Sequence, residues 1–106
     1  MKHDAPVRLV GERIPLGGVS DLCRKWKVHS LWAFGSVLGE FRADSDVDLL
    51  VEFLPEADWG LVEHVEMQEE LESLFGRPVD LVEKEALTNP YRRRAILSTC
   101  VPLYAA

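Results

Sequence analysis

Apolar and polar residues along this chain follow two periods in turn, and the changes of period mark its elements. Leu22, Cys23 and Trp26, at i, i+1 and i+4, give a core side to a helix over about residues 20–26, with Ser20 suited to cap it. Leu31-Trp32-Ala33-Phe34 is a short apolar run that stops at Gly35, which predicts a buried strand over about residues 30–34 ending in a turn. Residues 37–41 predict a helical turn or loop, and residues 47–53 a mostly buried second strand carrying Leu49, Leu50, Val51 and Phe53. After a break at residues 55–58, the longest helical pattern covers residues 60–75. It sets Leu61, Val65, Leu71, Leu74 and Phe75 on one stripe, with Glu63, Glu66, Glu69, Glu70 and Glu72 on a solvated face.

The Gly76-Arg77-Pro78 break precedes a β-rich segment, Val79-Asp80-Leu81-Val82, which predicts a third strand. Asn89 before Pro90 then marks a helix start, because Asn caps and Pro fits the first helical position, and a short helix follows over residues 91–97. Residues 1–18 carry Pro6, Gly11, Pro15, Gly17 and Gly18 and predict an extended, loosely attached segment, with residues 8–10 or 13–16 as an edge piece. The alternation of helices and strands, without repeats, predicts an α/β architecture: an extended segment over 1–18 and one domain over 19–106.

Composition narrows the function. A chain of 106 residues makes one domain that buries on the order of 60–70% of its unfolded surface. Twelve Lys and Arg against eighteen Asp and Glu give a net charge of -6, which opposes general nucleic-acid or anionic-membrane binding. Any phosphate site must then rely on metal and local backbone. The first residues lack the apolar core of a signal peptide, and no stretch approaches the roughly 18–20 apolar residues of a membrane span, so a cytoplasmic protein is expected. Cys23 and Cys100 have no metal-site or redox spacing and read as reduced, buried thiols; His3, His29 and His64 are scattered and are not expected to bind metal.

The candidate chemistry lies between the first two strands. Gly35-Ser36 is a turn of small residues whose backbone N–H groups can approach an anion, although Gly-Ser is also a common turn pair. After a nine-residue spacer come Asp46 and Asp48. At i and i+2 of a strand they share a face, roughly 6.5–7 Å apart along the chain. Such a pair can be a solvated strand face, but the apolar residues after Asp48 make two unpaired carboxylates costly without a cation. Asp80, alone among apolar neighbours, is a third candidate carboxylate or a residue capping a turn. Arg92-Arg93-Arg94 reads either as a solvated charge run or as a basic patch for a triphosphate or an acidic partner. Trp59 reads either as an exposed interface anchor or as a core residue at a helix start.

Taken together, Ala33-Phe34-Gly35-Ser36, the stretch from Phe41 to Phe53 containing Asp46-Val47-Asp48, and Gly76-Arg77-Pro78-Val79-Asp80-Leu81-Val82 resemble the signature of the polymerase-beta-type nucleotidyltransferase superfamily. The small size is similar to its minimal nucleotidyltransferase (MNT) branch, and the likeness runs from about Val19 to the end, including Asn89-Pro90-Tyr91 and Val101-Pro102-Leu103-Tyr104. The spacer between Ser36 and Asp46 is one residue shorter than in many members. The resemblance implies an α+β fold with a small mixed sheet flanked by helices. It implies two Mg²⁺ ions held by Asp46, Asp48 and Asp80, ATP as substrate gripped by Gly35, Ser36, Asp46 and Asp48, and Asp80 orienting or deprotonating the incoming hydroxyl. Larger relatives carry a second domain for the acceptor, which this length does not allow. The implied partner is a HEPN-type ribonuclease toxin in a hetero-oligomer, its tyrosine hydroxyl receiving AMP. An antitoxin that neutralises by binding alone is the alternative, and a Mg-nucleotide sensor a third reading.

Overall fold

The computed structural model describes residues 4–106. Its elements run α1 (Asp4–Arg13), α2 (Val19–Lys25), β1 (Val28–Phe34), a 3-10 turn (Gly35–Leu38), β2 (Val47–Phe53), α3 (Leu61–Phe75), β3 (Val79–Glu83), a second 3-10 turn (Lys84–Ala86), α4 (Pro90–Thr99) and β4 (Val101–Ala105). The four strands form one mixed sheet in the order β3-β2-β1-β4. β1 is antiparallel to β2 and β4, whereas β2 and β3 are parallel.

The sheet has a core on each face, as the period of two requires. One face carries Leu31, Ala33, Val47, Leu49, Val51, Val79 and Leu81 into the main core with α1, α2 and α3. The other carries Phe34 and Leu50 into a smaller core with Leu87 and with Ile96 of α4. Asp48 lies opposite Phe34 across the β1–β2 ladder and opposite Asp80 across β2–β3, so both carboxylates belong to the α4 face.

The N-terminal expectation is corrected. Residues 4–13 are helical, and Val10 and Ile14 are buried in the main core. Val7, Val10 and Ile14 follow the helical period that Pro6, Gly11 and Pro15 obscured. Pro6 stands in the first turn, where an amide has no intrahelical partner to lose. β4 is a further strand without a sequence forecast: five residues containing Pro102 give a weak signal, and Pro is tolerated because β4 is a sheet edge.

α3 spans the forecast helix but presents another face. Met67, Leu71 and Phe75, spaced by four, are buried, whereas Leu61 is 80% and Val65 44% exposed. At 3.6 residues per turn Val65 lies roughly 120° round from Leu71. What sets the rotation is polar. Glu72 accepts from Val79 N (2.9 Å), Gln68 from Leu81 N (3.4 Å), and His64 Nε2 donates to Leu81 O (3.0 Å), so His64, Gln68 and Glu72 lace α3 to the free edge of β3. On the other flank Glu70 accepts from Trp26 Nε1 (2.8 Å) and pairs with Lys25. The glutamates are therefore not simply a solvated face; two of them fix the helix. No helix among the described residues is long and apolar enough to cross a membrane.

Candidate active site

The apolar run of β1 ends because Gly35 adopts a left-handed backbone, φ +75°, that L side chains rarely take. The turn it begins sits directly on β2. A Cβ on Gly35 would stand 2.3 Å from Asp48 Oδ2 and 3.1 Å from its Cγ, so only glycine allows this approach. Asp48 accepts the backbone N–H of Ser36, and Ser36 Oγ donates to Asp46 O (3.2 Å). The turn and the carboxylate strand thus form one unit, with the Ser36 amide directed at Asp48.

Asp48 is half-buried, while Asp46 and Asp80 are exposed. Burial pushes the Asp48 pKa above its ordinary value, and the neighbouring charges of Asp80 and then Asp46 push the same way; the Ser36 N–H and the Arg92 guanidinium pull it down. Asp80 is brought beside Asp48 by the parallel ladder, whereas Asp46 stands one residue before β2, at its mouth. Among the described residues no three His, Cys, Asp or Glu side chains converge tightly enough to form a ready metal cage. The donors themselves suit Mg²⁺: they are carboxylate oxygens only, and a cation between them would offset both the burial and the mutual repulsion that raise the Asp48 pKa.

Two arginines hold the loops of the site. Arg13, closing α1, donates through Nη1 to Val37 O (2.9 Å) and Gly39 O (2.5 Å). Arg77 donates to Arg42 O (2.8 Å), Ala43 O (3.2 Å) and Ser45 O (3.1 Å), and its guanidinium lies 4.1 Å from the centre of the Phe41 ring. The spacer between Ser36 and Asp46 is therefore pinned at both ends. Sequence reasoning assigns neither residue this role, because their acceptors are backbone carbonyls that leave no pattern in the side chains; Arg77 figures there only in the Gly76-Arg77-Pro78 break.

The other candidates separate. Trp59 is a core-supporting residue, not a free anchor: it is half-buried, donates from Nε1 to Trp26 O (2.7 Å) and meets the Trp26 ring edge-on at 5.5 Å. Cys23 is buried, its thiol pushed up to about 12 by desolvation, and Cys100 is half-buried; both are free thiols. His64 serves β3, and His29 Nδ1 contacts Ser30 Oγ (2.7 Å). His3 lies outside the described residues.

Comparison with known proteins agrees with the fold. A family model described as a nucleotidyltransferase domain matches residues 19–103. A predicted protein adenylyltransferase of Methanocaldococcus jannaschii is 40% identical over 73 residues, 68% of this chain and 73% of that protein. Protein adenylyltransferase MntA of Thermococcus cleftensis is 44% identical over 68 residues, 63% of this chain and 67% of its own. Among solved structures, a predicted minimal nucleotidyltransferase superposes with a TM-score of 0.72 at 36% identity, covering 89% of this chain and 94% of that one. A toxin–antitoxin solved with AMP-PNP shares the fold at a TM-score of 0.62 and 19% identity, over 100% of this chain and 75% of that chain.

Proposed function

The chain belongs to the nucleotidyltransferase domain family and is a nucleotidyltransferase, and from that premise we propose that it is the antitoxin of a cytoplasmic toxin–antitoxin pair, transferring AMP from ATP to a tyrosine hydroxyl of a HEPN-type toxin. The observation that carries the reading is the apposition of Asp48 and Asp80 on neighbouring parallel strands, with the Gly35-Ser36 turn seated against Asp48. Relatives named as protein adenylyltransferases support the reaction type, and fold neighbours solved as toxin–antitoxin complexes support the kind of partner.

In the proposed reaction the acceptor oxygen forms a bond to the α-phosphorus of ATP, the α–β phosphoanhydride bond breaks, and pyrophosphate leaves. Asp80, exposed on the edge strand where a second protein can reach it, orients the hydroxyl and takes its proton. Gly35 and Ser36 hold the polyphosphate by backbone and hydroxyl, and Asp48 stays fixed by the turn. Mg²⁺ held by Asp46, Asp48 and Asp80 would supply charge compensation for the attacking and leaving oxygens.

Calorimetry with ATP tests the site: Mg²⁺-dependent binding by the wild type, sharply weakened in Asp48→Asn, supports it, and equal binding by both proteins or by neither sinks it. Co-expression with the partner toxin separates the two antitoxin readings. If Asp80→Asn protects cells as well as the wild type, neutralisation is by binding alone.

A further inference from the structure

The three consecutive arginines of α4 have three different surroundings. Arg93 is half-buried and donates from Nη1 to Lys84 O (3.2 Å) and Leu87 O (3.5 Å), so it ties the helix to the second 3-10 turn. Arg94 lies two residues before the buried Ile96, roughly 200° round the helix and away from the sheet. Arg92 lies four residues before Ile96, on the same face one turn nearer the helix start. Ile96 packs in the cluster that contains Phe34 and Leu50, which flank Asp48 as its cross-strand partner and its neighbour at i+2. The register thus carries Arg92 toward the carboxylates, and its charge is felt at Asp48 against the effect of burial. Among the described residues the Arg92 guanidinium has no ion pair or hydrogen bond of its own; only its backbone N–H is engaged, by Asn89 Oδ1 (3.1 Å).

We propose that Arg92 is a substrate-binding residue whose guanidinium grips the polyphosphate of the nucleotide at the Asp46–Asp48–Asp80 site. The proposal rests on the nucleotidyltransferase reading and adds to it a cationic side chain with no protein partner of its own. A triphosphate approaching three carboxylates on a protein of net charge -6 meets repulsion, and a planar guanidinium fork matches phosphate oxygens in geometry and charge. The helix terminus does not do this instead, because Asn89 Oδ1 already takes the N–H groups of Tyr91 and Arg92.

The test is calorimetric binding of AMP-PNP and of AMP, with Mg²⁺, to wild type, Arg92→Ala, Arg92→Lys and Arg94→Ala, each checked by thermal unfolding. Loss of one charge-assisted phosphate contact predicts AMP-PNP binding about 10- to 100-fold weaker in Arg92→Ala. Arg92→Lys should recover part of the loss, AMP should be less affected than AMP-PNP, and Arg94→Ala should stay within about twofold of wild type because it removes the same charge from the far side. If the wild type binds Mg²⁺–AMP-PNP and Arg92→Ala matches Arg94→Ala, the Arg92 assignment is wrong while the site stands. If the wild type does not bind, the nucleotide site and the assignment fall together.

Discussion

Replacing Gly35 with alanine should damage this protein through two separable effects. The backbone at Gly35 has φ +75°, and holding an L residue there costs about 1–2 kcal/mol. The new Cβ would also stand 2.3 Å from Asp48 Oδ2, so the carboxylate must swing away. An off-rotamer side chain costs about 0.5–1.5 kcal/mol, and weakening of the bond from Ser36 N–H adds up to about 1.5–3 kcal/mol. Together these give about 1.5–6.5 kcal/mol for Gly35→Ala. In an Asp48→Ala background the colliding oxygen is gone and only the backbone strain remains, because the nearest surviving atom, Cβ of residue 48, is 3.4 Å away. A urea-unfolding double-mutant cycle should therefore give a coupling of about 0.5–4.5 kcal/mol, the side-chain share of that cost. A coupling indistinguishable from zero would refute the claim that the turn and Asp48 are one unit.

Three further outcomes follow from the same geometry. Because the folded-state pKa of Asp48 is raised from its ordinary 3.8, the folded chain holds the extra proton just above that value, so stability falls as pH rises through the window and remains lower above it. Asp48→Asn should then be more stable than wild type at neutral pH without metal, with the difference shrinking on acidification; a wild type that is the more stable at pH 7 contradicts this. Trp59→Phe keeps an aromatic ring but loses part of the indole and the hydrogen bond to Trp26 O, and should lower stability by at least about 1 kcal/mol in thermal unfolding, whereas a pure interface anchor would leave it unchanged. Glu72→Ala strips the partner from Val79 N–H and should cost about 1–3 kcal/mol while speeding amide exchange at Val79; unchanged exchange there would show that the α3 lacing does not hold β3.

The parts of the fold legible in the sequence were those with a strong local period or cap. β2 runs from Val47 to Phe53 as its apolar run predicts, and Asn89 caps α4 through its side chain as the Asn-Pro pair predicts. The motif likewise places Gly35, Asp48 and Asp80 together, because strand pairing sets Asp80 beside Asp48 and Gly35 ends the strand whose Phe34 faces Asp48. What could not be read was set by long-range contacts. The rotation of α3 depends on Gln68 and Glu72 meeting the amides of β3, and α1 is anchored by Val10 and Ile14 in a core assembled from distant strands. Arg13 and Arg77 grip carbonyls more than twenty residues away in sequence, and no spacing rule announces such a partner. The split of Arg92, Arg93 and Arg94 into three environments also required the register of Ile96 against the sheet.

The central claim is AMP transfer through Asp80 to another protein. Its most direct test is intact-mass spectrometry of a purified HEPN-type partner after incubation with ATP, Mg²⁺ and either wild type or Asp80→Asn. Asn keeps the shape but removes the charge, and general-base help alone is worth about 10²–10⁴ in rate. The account predicts a partner heavier by one or more AMP units with the wild type and a mass unchanged, or shifted only after far longer incubation, with Asp80→Asn. An unmodified partner with wild type, while both proteins still bind and neutralise it, would contradict the enzymatic account.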